Sequence, residues 1–421
     1  MTRPPARRQE RMSRNEAIGR VRIVHILEGF AGGTATYICT VLPQLIEQDY
    51  DVTLICSLER GCSDAQERIA QLRNRGVKVH VVPMRRRIDP LQDLRSFTAI
   101  LRLLLSGDFQ IVHTHCSKAG ALGRLAAVVA RKNVRFHSPH CFAFARTSNR
   151  FLAALYLLLE RWLGKLTTTL LAIGESEARL AVERGIVPAS RCITVRNGLA
   201  DDPPVPETRS LREREEIKQS LGIAGNGYVV STACRLVRYK GLSSFLAAAG
   251  LCRTPNVTFL IAGEGGLQPA LEEYIRAHEL ESKVRLLGHV ADIRRLYAVS
   301  DLFVLCSEAE AQPYVLLEAM RARCPILATS VVGTRDLIRH NRTGVLVDPR
   351  AEAIAGSIDE LLNDRVKCRE LTENAYRHFR QHHLLERQVS LITSAYDAHL
   401  PQQRPFRRRS IVEGPRVRAA R

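Results

Sequence analysis

Short apolar runs that alternate with helical patterns, interrupted once and then restarted, restrict this chain to one kind of architecture. The runs VRIVHIL, DVTLIC, VKVHVV, FQIVH, VRFHS, TLLAIG and CITV read as strands buried on both faces. Between them TATYICTVLPQLIEQ, DLRSFTAILRLLLSG and AGALGRLAAVVARK carry apolar residues at helical spacing. Strands separated by helices pair in parallel, with the helices covering the sheet. Residues 199–210, LADDPPVPETRS, are proline-rich and without periodicity, which makes them a linker. The alternation then resumes with YVVSTAC, VTFLIAG, VRLLG, LFVLC, PILAT and GVLV. The expected fold is α/β, two doubly wound Rossmann-like domains facing one another across a cleft. We place a basic arm at 1–20, the first domain at 21–198, a linker at 199–226 and the second domain at 227–384. A terminal helix at 385–400 returns to the first domain, and a basic tail follows at 401–421. Doubly wound sheets bind ligands outside the carboxyl ends of their strands, so the cleft is the expected active site.

The net charge of +19 suggests nucleic acid until it is divided along the chain. Residues 1–20 supply +4 and residues 401–421 supply +6. Such ends read either as solvated arms or as contacts with an anionic lipid surface. No zinc finger, RRM signature or helix-turn-helix pattern accompanies the charge, so nucleic acid is not an expected partner. The eleven cysteines form no C-x-x-C pair and read as small core hydrophobes in a reducing compartment. The basic start leads into a strand-like run rather than a signal segment. FLAALYLLL stops at Glu160 and Arg161, short of a membrane span. The expected location is therefore the cytoplasm, with the inner membrane face as a peripheral site. RFLAALYLLLERWLGKL reads as a core helix or as one that dips into a membrane interface.

Several strand ends carry chemistry. EGFAGGTATYI puts Gly32 and Gly33 at a helix start, where backbone without side chains lets a phosphate or sugar approach. It lacks the G-x-G-x-x-G spacing of dinucleotide binding. ACRLVRYKGL sets Arg235 at a strand end and Lys240 before the next helix, two cations able to grip a diphosphate and neutralise a leaving group. AGEGG (Gly263, Glu264) and GHV (His289, Val290) follow the next two strands. EAQPYVLLE then places Glu310 in a loop, Pro313 as first helical residue and Glu318 inside the helix. Each feature alone is an ordinary turn; their convergence on one edge is specific. Histidines gather in VHTHCSKAG (His113, His115) and FHSPHCFAF (His137, His140), beside Cys116 and Cys141. That spacing mimics zinc ligation, but no carboxylate is interleaved and strand alternation should split neighbours between faces. No metal is expected, and one or two of these histidines should face the cleft. Asp49 to Asp51, DYD, sits where a helix hands over to a strand and reads as a turn.

The Gly-Gly pair, HTHCSKAGALGRLAA, RNG at Arg196 to Gly198, RLVRYKG, and E-x7-E followed by AM occur in order between about Val21 and residue 395. Together they resemble the family-4 retaining glycosyltransferases of the two-domain GT-B fold. The resemblance implies that Glu310 lies near the donor sugar and that Glu318 binds the nucleotide ribose. It implies that Arg235 and Lys240 hold the diphosphate over Gly33. The family's sugar-contacting histidine falls on His140, with His115 second. The implied catalytic set is His140, Glu310, Arg235 and Lys240. The implied donor contacts add Gly32, Gly33, Gly263, Glu264, His289, Val290, Pro313, Tyr314, Val315 and Glu318. The expected acceptor contacts are His115 and Lys118. The implied donor is a nucleotide-diphosphate sugar, expected to be UDP-linked, and the acceptor is lipid-linked or a polysaccharide. Transfer with retention would rest on positioning and charge stabilisation, with no metal and no cofactor. Ala311 to Tyr314, AQPY, stands where the family often has Gly-Phe-Gly. A GT-B-like epimerase or phosphorylase, and a non-catalytic scaffold of an assembly complex, remain open.

Overall fold

The computed structural model describes residues 20–201 and 211–400, apart from 60, 62, 86, 148, 222 and 224–226. Residues 1–19, 202–210 and 401–421, which hold the basic arm, the proline-rich break and the basic tail, lie outside the described residues.

The first sheet contains β1 (Arg22–Leu27), β2 (Asp51–Cys56), β3 (Lys78–Val81), β4 (Ile111–His115), β5 (Val134–Ser138), β6 (Thr169–Ala172) and β7 (Cys192–Thr194). Its strands pair in parallel in the order β3-β2-β1-β4-β5-β6-β7. β1, β2 and β4 are buried almost from end to end, as their unbroken apolar runs require. β3, at the edge, is mostly exposed and opens with Lys78. The second sheet contains β8 (Tyr228–Ala233), β9 (Val257–Ala262), β10 (Val284–Gly288), β11 (Leu302–Leu305), β12 (Ile326–Thr329) and β13 (Val345–Val347). It is also parallel, in the order β10-β9-β8-β11-β12-β13.

Each sheet therefore reverses its strand order once, between β1 and β4 and between β8 and β11. At such a point neighbouring crossovers leave on opposite faces and open a crevice at the carboxyl ends. The helix Gly32–Glu47 leaves β1 and buries Ala35, Ile38, Val41, Leu42 and Leu45 along one stripe. Gly241 follows Lys240 with φ +64°, and a Cβ there would come within 1.9 Å of the Cys306 carbonyl oxygen. Only glycine lets the loop after β8 press against the exit of β11.

The two halves are joined by direct contacts. Asp336 accepts from the Ser176 hydroxyl at 2.5 Å and from the Ser176 amide at 3.0 Å. The chain crosses between them twice, and the crossings pair: the Leu199 amide donates to His383 O and the Leu385 amide to Leu199 O, both at 2.9 Å. The final helix, Leu385–Asp397, lies on the first half, where Tyr50 donates to Asp397 at 2.7 Å and Tyr396 meets His113 at 2.6 Å.

Candidate active site

Both reversal points face the same cleft, and the residues that follow their strands meet there. A Cβ on Gly32 would lie 3.4 Å from the Arg235 Nε, so the glycine turn after β1 backs directly onto the cation after β8. Lys240 donates to Glu310 Oε1, and Ser307 donates to the same oxygen at 2.6 Å. This ion pair is largely enclosed, with both side chains under 15% exposed. The helix Tyr314–Arg321 begins beside it with Pro313 as N-cap and no side chain capping the first turn. Pro313 thus stands one position before the helix rather than as its first residue, because its ψ of 123° is extended. The uncapped amides of that first turn suit an anion.

Tyr239 binds this cluster together, a role not visible in the motif RYK itself. Arg235 Nη2 donates to its hydroxyl at 2.5 Å. The Arg146 guanidinium, from the first half, stands 4.6 Å over its ring, and the Lys240 ammonium stands 5.6 Å away. Burial alone would raise the phenol pKa, yet Arg235, Arg146 and Lys240 together hold it below its usual range. Three cations from two loops around one ring and one carboxylate form a site with capacity for more negative charge.

Glu318 lies deeper on the same helix, half-buried, and accepts from the Tyr297 hydroxyl at 3.1 Å. Burial raises its pKa, while Tyr297, Arg321 and Arg68 oppose the shift. Glu310 and Glu318 therefore occupy different environments, which argues against a paired general acid and base.

The histidines form a connected chain. His25 Nδ1 lies 2.9 Å from His115 Nε2, and His115 Nδ1 lies 3.0 Å from His140 Nε2. His113 packs alongside, with its two ring nitrogens at Tyr396 (2.6 Å) and Ser138 (3.0 Å). The expected division between faces is corrected here. His113 and His115 are two residues apart and share a face, and the β1–β4 register places His25 opposite His113. Ring nitrogens of His25, His113 and His115 come within 4.8 Å of one another. Both nitrogens of His113 and of His115 are engaged in hydrogen bonds, however, so the cluster is built as a polar network. Burial lowers the pKa of His25 to about 3 and of His140 to about 4. His115 is fully buried, and half-buried His140 is the end of the chain that reaches outward.

His140 and Cys141 follow β5 with φ of 50° and 83°, two consecutive side chains in the left-handed region. Glu177 holds that turn. It accepts from the Cys141 amide at 2.6 Å and from the Ile173 amide at 2.9 Å. Burial raises the Glu177 pKa to about 7 against the pull of those two amides. Nothing in the sequence marks Glu177, since its partners come from two other strand ends.

Glu264 adjoins the Arg235 loop, its carbonyl accepting from the Leu236 amide at 2.9 Å. The Lys118 ammonium is tied within the first half, where it donates to Asp93 at 2.6 Å and to the Arg87 carbonyl at 2.5 Å. The Tyr314 side chain is likewise buried, 3.5 Å from a Cβ on Gly33, and closes the contact between the halves. Its backbone opens the helix Tyr314–Arg321. Val315 offers its carbonyl to Tyr297 at 2.9 Å, and half-buried Val290 packs against the core. His289 stands 3.9 Å from Asp64 across the halves, and Glu264 is exposed. Gly263, with φ +134°, would place a Cβ 1.9 Å from Cys234 O, so its role is close backbone packing. In AQPY, buried Gln312 accepts from the Asn197 amide while its carbonyl accepts from Asn197 Nδ2 at 3.0 Å. The residues in place of the glycine-rich turn therefore fasten the RNG segment to the start of the helix Tyr314–Arg321.

Two family models match. Residues 32–198 fit a Glycosyl transferase 4-like domain and residues 213–378 fit Glycosyl transferases group 1, which together span most of the chain. The chain belongs to the family-4 glycosyltransferases of the GT-B type. An Escherichia coli relative, a UDP-Gal:alpha-D-GlcNAc-diphosphoundecaprenol alpha-1,3-galactosyltransferase, is 27% identical to this glycosyltransferase over 83% of the chain and 88% of the relative. The Staphylococcus aureus capsular polysaccharide biosynthesis glycosyltransferase CapM is 25% identical over 68% of the chain and 76% of its own length. Among solved structures, Anabaena HepE in complex with UDP and glucose superposes with a TM-score of 0.75 at 20% identity, covering 90% of this chain and 100% of HepE. That similarity shows the GT-B fold.

Proposed function

We propose that this glycosyltransferase moves a sugar, with retention, from a UDP-sugar to a lipid-linked or polysaccharide acceptor at the inner membrane face, in bacterial polysaccharide or glycolipid assembly. The observation that carries it is the meeting of Arg235, Lys240, Glu310 and an uncapped helix start with the Gly32–Gly33 turn at two facing reversal points. The activity of the E. coli relative and the UDP and glucose bound to HepE support the donor class and a diphospholipid acceptor. The diphosphate takes the place between Arg235, Lys240 and the first turn of Tyr314–Arg321, and the ribose meets Glu318. Glu310 faces the sugar, with His140 opposite as a neutral hydrogen-bonding partner. Arg235 and Lys240 supply the charge stabilisation that a metal would otherwise give, so transfer is metal-independent. The leaving phosphate accepts the acceptor's proton. No described helix is long and apolar enough to cross a membrane.

A thermal-shift panel of UDP, GDP, ADP and their sugars tests the donor assignment. UDP at about 100 times its Kd is expected to add about 2.7 kcal/mol of apparent stability. A panel in which no nucleotide raises the melting temperature would refute the proposal.

A further inference from the structure

The helix Arg150–Lys165 packs one face on the first domain and leaves the other bare. Phe151, Leu155, Leu158, Leu159 and Trp162 recur at helical spacing and form one stripe. Each is between 42% and 91% exposed. The inner face is already complete. Leu163 and Gly164 are buried, and a Cβ on Gly164 would meet the Ile186 carbonyl oxygen at 2.0 Å. Glu160, the acid of this helix, is turned inward and paired with fully buried Arg124 at 2.9 Å. The outward side chains leave much of their apolar surface in water, and a contiguous apolar stripe so exposed marks an interaction surface.

Arg150, Arg161 and Lys165, all exposed, are the remaining charges of the helix. We infer that this face docks the enzyme on an anionic lipid surface, with the stripe in the acyl boundary and the cations at headgroup phosphates. Charge selects the occupant. A second copy would bring this basic rim against itself, and the tail 401–421, net +6, would meet like charge. The helix begins four residues after Arg146, whose guanidinium stands over Tyr239, so its amino end adjoins the cleft. An enzyme docked along this stripe presents the mouth of its site to the headgroup layer. The inference deepens the proposed function and rests on its membrane-face acceptor, but its test needs no substrate.

Trp162 is the single tryptophan of the chain, so its emission reports this surface alone. Full-length protein added to vesicles of phosphatidylglycerol and phosphatidylcholine is expected to show blue-shifted emission that brominated acyl chains quench. Partitioning to phosphatidylcholine alone should be weaker by about tenfold or more. Leu155→Asp/Leu158→Asp should lower partitioning to anionic vesicles by about tenfold or more, with melting and the nucleotide-induced shift unchanged. Leu155→Ser/Leu158→Ser provides the same comparison if the aspartates impair folding. Unshifted emission with anionic vesicles, or binding that survives both pairs of substitutions, overturns the inference. So does a dimer that either pair dissolves, which would assign the face to a second copy. Nucleotide binding without docking removes this surface alone; docking without nucleotide binding removes the proposed reaction alone.

Discussion

Lys240→Ala is expected to lower kcat by roughly 10²–10³-fold, about 3–4 kcal/mol of transition-state stabilisation. Its ammonium is held in place by Glu310 in the ligand-free site, so it needs little reorganisation when charge develops on the departing diphosphate. Removal also leaves the Glu310 carboxylate, under 15% exposed, with Ser307 as its hydrogen-bond partner among the described residues, beside the proposed anionic donor. Donor KM should therefore rise as well. Lys240→Ala/Glu310→Gln should recover much of the KM and little of the kcat, since the repulsion is gone and the cation is still missing. Initial rates over a donor series measure both effects. A Lys240→Ala enzyme with ordinary kcat would place the leaving-group cation elsewhere.

Acidification should unfold the protein well before ordinary carboxylates titrate. His25, His113, His115 and His137 are fully buried, and burial holds each neutral far below its usual pKa. Half-buried His140 behaves the same way, at about 4. In the unfolded chain these rings take up protons near pH 6.5, so the unfolded state binds more protons below that value and stability falls with pH. Each ring removes about 1.4 kcal/mol per pH unit, and five together remove roughly 7, comparable to the whole stability of a domain. Glu177 works in the opposite direction, because its pKa is raised to about 7. Its contribution is full at low pH and is lost as pH rises through about 7; Glu318 acts in the same sense, while buried His383 adds to the histidine side. Urea midpoints should therefore fall steeply between about pH 6.5 and about pH 5.5. Equal midpoints across that interval would mean that the rings are protonated in the folded protein.

The architecture was legible because apolar runs of strand length separated by helices admit one pairing mode. Arg235, Lys240 and Glu310 were legible for the same reason, since a strand end in a doubly wound sheet is a ligand position before any contact is known. What escaped depended on neighbours distant in sequence. Lys118 looked available until the helix Pro90–Ser106 brought Asp93 to its ammonium. Tyr239 and Arg146 meet only because the halves close on one another, and Glu177 matters only because β5 and β6 end beside it. The histidine chain needed a register between β1 and β4 that no local pattern records. AQPY read as a departure from the family turn, yet the Gln312 contact with Asn197 gives it a purpose of its own.

The most direct test of the central claim is the anomeric configuration of the product. With an α-linked UDP-sugar and a detergent-solubilised diphospholipid-linked saccharide as acceptor, NMR of the purified product should show an α-linkage, with UDP released in equal amount. A β-linked product would contradict retention, and free sugar or an interconverted nucleotide sugar without transfer would contradict the assignment as a transferase acting on such an acceptor.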